Sequence, residues 1–416
     1  MLETSFVQHR LANGLDVVIE QMAQVPSVAC GFLVKTGSRD EPAAQAGAAH
    51  FLEHMCFKGT DRRSWQQIGI ELDAVGAQYN AYTSKDRTFY YGWVRPENVE
   101  KQIDMLADMM RPTLPADQFD LEKNVVLEEI AMAGDDLTSV AYDALYEHLC
   151  PNHPMAWPVL GYANTIEAMT RRDMADFIAH HYVPRAMTLI VAGRIDPDRI
   201  LDTAQRWCGS WPKSDAAVQR TPPAISGGHA VRTFARFHQQ AVLLAFPATP
   251  AGRPDEEAAE AVAAILGGAN SRFYWNIVQK GLSRRAGVFY EGYADFGVLV
   301  MFALCEGDNA DRALAAMRTE AEMFAAHGPQ PHELQRVKNL RRTGLAAESE
   351  APYYRLGQLA DDLAYRGRPR TPAERLANVD AVTADRIADY LGRFPITGAG
   401  LLVGVGPRED LIDKAS

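Results

Sequence analysis

Five consecutive residues, His50-Phe51-Leu52-Glu53-His54, constrain the fold of this chain more than any others. Two imidazoles at i and i+4 and a carboxylate at i+3 converge on one side only if the backbone is helical; a strand would send neighbours to alternating faces. Ala48, Ala49, Phe51, Leu52 and Met55 around them are apolar, so the helix has one side to bury and one side left for chemistry. Neutral imidazole ligates zinc well, and an ion held by three protein groups leaves a fourth position for a water whose pKa falls toward about 7. The order inverts the commoner His-Glu-x-x-His zinc motif. A third ligand must then come from another part of the fold.

A helix predicted over Pro115 to Ala133 offers it. Glu122 and Glu129 stand seven residues apart and so share a face. Glu129 can complete the ligand set while Glu122 stands behind a histidine and orients it. Taken alone, the cluster Glu122, Glu128, Glu129 reads as a solvated helix face, and it is the upstream motif that reverses this reading. Cys56, two residues after His54, is turned away from the ligand face.

At 416 residues the chain is long for one domain and predicts two or more, each with its own core. The net charge of −11 argues against a nucleic-acid surface. Five scattered cysteines without a C-x-x-C pair predict a disulfide-free protein. No apolar run is long enough to span a membrane. Met1 to Arg10 lacks both a basic n-region and an apolar stretch, which points to the cytoplasm, or to the periplasm if a signal peptide has been removed.

The pattern along the chain predicts strands between Val7 and Lys35, with a turn at Asn13-Gly14. The metal helix is expected to start at Asp40 and Pro42 and to stop at Gly59. Next come a helix over Ser64 to Val75, strands over Gln78 to Ser84 and Thr88 to Val94, and a helix over Pro96 to Met110. Beyond the acidic helix, helices follow near Asp143 to Leu149 and Thr170 to His180, then a buried strand Met187 to Gly193 and a helix Ile195 to Trp211. Pro212 to Val231, with Pro222-Pro223 and Gly227-Gly228, reads as a linker. The second half then repeats the order: a strand over Gln240 to Phe246, an alanine-rich helix from Pro254 to Leu266 where the first half has its metal helix, a helix over Ser271 to Lys280, and strands over Phe289 to Tyr293 and Val298 to Leu304. The repeat predicts an α+β fold of two similar halves, each a mostly antiparallel sheet packed with helices. The expected division is 1–218 as the metal-bearing half, 219–232 as the linker and 233–416 as the metal-free half.

These residues together resemble the family of pitrilysin, insulin-degrading enzyme and the mitochondrial processing peptidases, in its branch of short, two-domain chains. The resemblance rests on Gly37-Ser38-Arg39, the run Ala49 to Thr60, Asn80-Ala81-Tyr82-Thr83, Glu122 to Ile130, His153-Pro154 with Pro158-Val159-Leu160-Gly161, and Leu266-Gly267-Gly268 with Ser271-Arg272. It implies a zinc endopeptidase whose halves enclose a cavity, with one zinc per chain on His50, His54 and Glu129, Glu53 as general base and Glu122 as the acid behind a ligand. Asn80, Ala81, Tyr82 and Thr83 match the strand along which an extended peptide substrate lies. The family also places an Arg seven residues before a Tyr in the second half, to hold substrate and the developing oxyanion. Tyr290 matches the Tyr, but Ser283 stands at the Arg position, with Arg284 and Arg285 adjacent. The resemblance therefore points to the metal-bearing subunit of a heterodimer whose homologous partner supplies the Arg/Tyr pair. The alternative is a non-catalytic structural subunit of a larger complex.

Overall fold

The computed structural model describes residues 5–214 and 219–411. Residues 215–218, where the first half was expected to give way to the linker, lie outside the described residues. The fold is α+β, and the chain forms two compact units, each built on its own sheet.

Unit 1 comprises Met1–Ala131, Trp157–Arg220 and Leu345–Ala373. Its strands are β1 (Ser5–Arg10), β2 (Asp16–Gln21), β3 (Val28–Val34), β4 (Gln78–Thr83), β5 (Thr88–Val94) and β6 (Met187–Gly193), in the spatial order β1-β2-β6-β3-β5-β4. All neighbours are antiparallel except β2 and β6. The central strands β3 and β6 are buried along their whole length, which explains their near-continuous Val, Leu, Ile and Ala. Alternate residues feed two cores. On one face Cys30, Phe32, Val34, Leu189 and Val191 pack with Phe51, Leu52 and Met55 of the helix Ala48–Met55 and with Phe119 and Val126 of the helix Ala116–Asp135. On the other, Val18, Ala29, Leu33, Phe89 and Ile190 pack with Leu356, Leu359 and Ala360 of the helix Pro352–Tyr365. That helix also carries Arg355, which is fully buried against Glu20 of β2.

Unit 2 comprises Met132–Ala156, Thr221–Gly344 and Glu374–Ser416. Its strands are β7 (Gly228–Thr233), β8 (Gln239–Ala248), β9 (Arg285–Gly292), β10 (Gly297–Glu306) and β11 (Leu401–Gly406), in the order β7-β11-β8-β10-β9. Strand for strand this is the order β2-β6-β3-β5-β4 again, including the one parallel neighbour, here β7 with β11. The alanine-rich helix Glu256–Gly267 packs against β9 as the helix Ala48–Met55 packs against β4. The helix Leu137–Leu149 packs against β8 and β11.

A single cut at 219–232 does not reproduce these units. Segment 132–156 belongs to unit 2 although it precedes the expected boundary, and 345–373 belongs to unit 1 although it follows it. The reason is that each sheet has two apolar faces. Helices local in sequence cover one, and a helix from the other half of the chain covers the second. Part of the supposed linker is also ordered as β7, paired with β11. Three helices differ from expectation. The metal helix begins at Ala48 rather than Asp40, after two short 3-10 turns, Ser38–Asp40 and Ala43–Gln45, and a left-handed Gly47. The helix expected from Asp143 begins at Leu137 under the side-chain cap of Asp136. Within Ser271 to Lys280 the helical run covers 272–278, of which Tyr274–Val278 is a π-helical turn.

Candidate metal centre

The helix Ala48–Met55 is only two turns long, so its placement depends on how it is entered. Glu41 is buried and accepts hydrogen bonds from the backbone N–H groups of Gly47 and Ala49, both at 2.7 Å. It thus satisfies donors at the helix N-terminus and sits at the positive end of its dipole. Burial raises its carboxyl well above the usual range, against the pull of those two N–H groups. Gly47 has φ +97°, and a Cβ there would lie 2.6 Å from the Leu160 carbonyl oxygen, so the chain can turn into the helix only through glycine.

The buried side of this helix sets its neighbour. Phe51 packs against Phe119 with tilted rings whose centroids are 4.7 Å apart, and Val126 lies two turns on from Phe119 in the same core. Glu122 and Glu129, interleaved with them on the helix Ala116–Asp135, are thereby turned toward the histidines. Glu129 Oε2 lies 3.5 Å from His50 Nε2 and 3.7 Å from His54 Nε2. Ligand atoms bound tetrahedrally at about 2.0–2.1 Å are about 3.4 Å from each other, so this donor set fits a zinc ion. Among the described residues it is the one group of three such side chains close enough to share a metal. Burial, and then the neighbouring His54, push His50 down to about 4, which leaves its imidazole neutral and able to ligate at pH 7.

Glu122 accepts at 3.1 Å from Nδ1 of His54 when that nitrogen carries the proton, which leaves Nε2 as the lone-pair donor facing Glu129. The other oxygen of Glu122 is 2.6 Å from Nζ of Lys58. Glu53 is the remaining carboxylate of the motif. Its pKa is raised, chiefly by burial, while the hydroxyl of Thr83 donates to it at 2.6 Å and offsets part of the rise. Cys56 points into the core, and burial pushes its thiol up to about 12, so it contributes no ligand.

Thr83 ends β4, the edge strand of its sheet. Alternation gives β4 two faces. Tyr79, stacked on Phe57, and Thr83 lie on the side of the metal helix, together with Ala81; Asn80 and Tyr82 lie on the opposite side, level with Tyr91 and Phe89. The Asn80 side chain thus faces away from the histidines. Its Oδ1 accepts from the N–H of Ala81.

Comparison with known proteins places this architecture. The model of the insulinase family, peptidase family M16, matches residues 16–162, and that of the peptidase M16 inactive domain matches 168–341. An uncharacterized zinc protease of Rickettsia felis is 30% identical over 397 residues, covering 94% of this chain and 96% of the relative. One from Mycobacterium leprae is 32% identical over 387 residues, covering 91% and 86%. The chain belongs to the M16 peptidase family. Its fold is that of a Helicobacter pylori protease, with a TM-score of 0.92 at 22% identity over 98% of this chain and 100% of the other. It is also that of an M16 inactive-domain protein of Pseudomonas fluorescens, with a TM-score of 0.88 at 19% identity over 98% and 99%.

Membership of the M16 family supports a peptidase role, and the inactive-domain match, over residues 168–341, includes the alanine-rich helix that has no histidines. In that half, Tyr290 on β9 donates from its hydroxyl to the Thr249 carbonyl at 3.0 Å. Ser283 is buried, and its hydroxyl donates to the carbonyls of Arg285 at 2.8 Å and Leu304 at 2.6 Å. Arg284 pairs with Glu306 at 3.2 Å, and the guanidinium of Arg285 lies over Phe302. Among the described residues no helix is long and apolar enough to cross a membrane. Sequence reasoning missed Glu41 and Lys58. Lys58 was detectable, since it follows His54 by four residues within the stretch expected to be helical up to Gly59, although the helix itself ends at Met55; Glu41, upstream of a glycine turn, carries no periodic signal.

Proposed function

We propose that this chain is a zinc endopeptidase of the inverted His-x-x-Glu-His type, with one zinc held by His50, His54 and Glu129 and with peptides or small unfolded polypeptides as substrates. The observation that carries the reading is the convergence of three donor atoms from two helices with a raised carboxylate, Glu53, on the same helical face. When bound, zinc acts as a Lewis acid on the scissile carbonyl and the attacking water. Glu53 takes the proton from that water and returns it to the leaving amine, a role suited to a carboxylate whose pKa burial has raised. Edge strand β4, from Asn80 through Thr83, has a sheet neighbour on one side only, and along its open edge an extended peptide adds as a further strand. Such binding is indifferent to most side chains, as a general endopeptidase requires.

The chain works as the catalytic subunit of a heterodimer, its homologous partner supplying the Arg/Tyr pair. Ser283 at the Arg position, its hydroxyl committed to two backbone carbonyls, supports this. The experiment is metal analysis of the pure chain with a fluorogenic peptide assay, with and without chelator and with and without the partner copurified from the native source. Near one zinc per chain is expected, with weak turnover that the partner restores. Glu53→Gln should keep the zinc and lose at least about 100-fold in turnover, the low end of what a general base supplies. Absence of zinc after careful purification refutes the metal centre, retained turnover in Glu53→Gln refutes the base, and vigorous proteolysis by the chain alone refutes the partner.

A further inference from the structure

The two imidazoles are not held alike. His54 has Glu122 behind it, whereas Nδ1 of His50 is buried without a hydrogen-bond partner. The carboxylate behind His54 is itself 4% exposed, and its two oxygens have different partners: Oε2 meets His54 Nδ1 at 3.1 Å and Oε1 meets Lys58 Nζ at 2.6 Å. Lys58 follows the metal helix by one turn, its backbone N–H donating to the Met55 carbonyl at 3.0 Å, so the lysine is anchored to the same element as the histidine it serves.

We propose that Lys58 is a positioning residue for the metal centre: by clamping one oxygen of Glu122, it aims the other at His54 and fixes that imidazole with Nε2 toward the ion. The inference rests on the zinc reading above. A carboxylate hydrogen-bonded to a histidine alone retains freedom about its last torsion, and a buried one without a cation is costly to keep. The ammonium removes both problems. It also offsets the charge excess of Glu53, Glu122 and Glu129 around one divalent ion. Groups that orient metal ligands from behind typically change metal affinity by about 10–100-fold when removed. That is the effect expected here, confined to the His54 side of the site.

The test is zinc affinity of the full chain, measured by competition with a chromophoric chelator, for wild type, Lys58→Met, Lys58→Arg, Glu122→Gln and the Glu122→Gln/Lys58→Met double variant. Melting of each metal-free variant is recorded beside it to separate folding from positioning. Lys58→Met should bind zinc roughly tenfold or more weakly, Lys58→Arg should recover most of the loss, and the double variant should bind no more weakly than Glu122→Gln. Should Lys58→Met fail to fold, Lys58→Gln, which keeps a donor for Glu122 without the charge, takes its place and should show a smaller loss. Binding within twofold of wild type in the charge-free variants overturns the proposal, as does a Lys58→Met loss that persists undiminished in the Glu122→Gln background. Failure of the wild type itself to bind zinc counts against the metal centre and is thereby distinct.

Discussion

Replacing Arg355 by methionine should cost unit 1 about 3–5 kcal/mol. The guanidinium gives the Glu20 carboxylate three hydrogen bonds of 2.9–3.1 Å, and also reaches Gln358 and the Arg370 carbonyl. Both side chains are 0% exposed. Methionine keeps most of the stem and removes the charge and donors, so the variant leaves a carboxylate on β2 walled off from water. Removing one partner of a buried ion pair costs about 3–5 kcal/mol, because the other is left uncompensated. The pair as a whole is worth far less. Glu20→Met/Arg355→Met should therefore recover much of the loss, with a coupling of at least about 2 kcal/mol. Urea titration followed by circular dichroism gives the stabilities, and hydrogen exchange in the helix Pro352–Tyr365 reports whether that helix has released. A single variant within about 1 kcal/mol of wild type, or a double variant as unstable as the sum of the singles, would show that the pair does not hold the helix as argued.

Thr83→Val removes the hydroxyl that favours the ionised form of Glu53. The acid limb of kcat/KM should move to higher pH, and an unchanged pH profile would disprove the contact's role. His50 titrates lower in the folded state than its ordinary value near 6.5, so the metal-free protein should keep its full share of this stabilisation above about pH 6.5 and lose it as the pH falls through about 4. Denaturant midpoints of wild type and His50→Gln across that window measure the effect, and parallel curves would refute it. Gly47→Ala forces a Cβ toward the Leu160 carbonyl in a left-handed backbone. It should cost about 1–3 kcal/mol and weaken zinc binding, and a melting point equal to wild type would contradict the entry geometry described.

The cluster of His50, His54 and Glu129 was legible because its signal is local and periodic. His50, Glu53 and His54 declare their face within five residues, and Glu122 and Glu129 share a face whatever the rest of the chain does. The strands β5 and β6 were likewise readable as apolar and aromatic runs, and β4 as the tyrosine-bearing stretch between Gly76 and Ser84 that precedes β5. The start of the metal helix was not, because Asp40 and Pro42 mimic a helix entry while the real one depends on a left-handed Gly47 and on Glu41 reaching back. The exchange of helices was invisible for a different reason. The apolar stripe of Pro352–Tyr365 shows that the helix is buried but not which sheet receives it, and the discriminating contact, Arg355 with Glu20, joins residues 335 positions apart. β11 is short and interrupted by Gly404, so it carries little strand signal of its own.

The interleaving of the units has a consequence for synthesis. A ribosome delivers β1 to β6 well before the helix that covers their second face, and roughly 150 residues separate Arg220 from the end of the segment that completes unit 1. At about 5–20 residues per second, the surface of Val18, Leu33, Phe89 and Ile190 stays bare for on the order of ten to thirty seconds. During that interval the nascent chain exposes the kind of apolar sheet that chaperones bind, even though the histidines and glutamates of the candidate metal centre have already emerged.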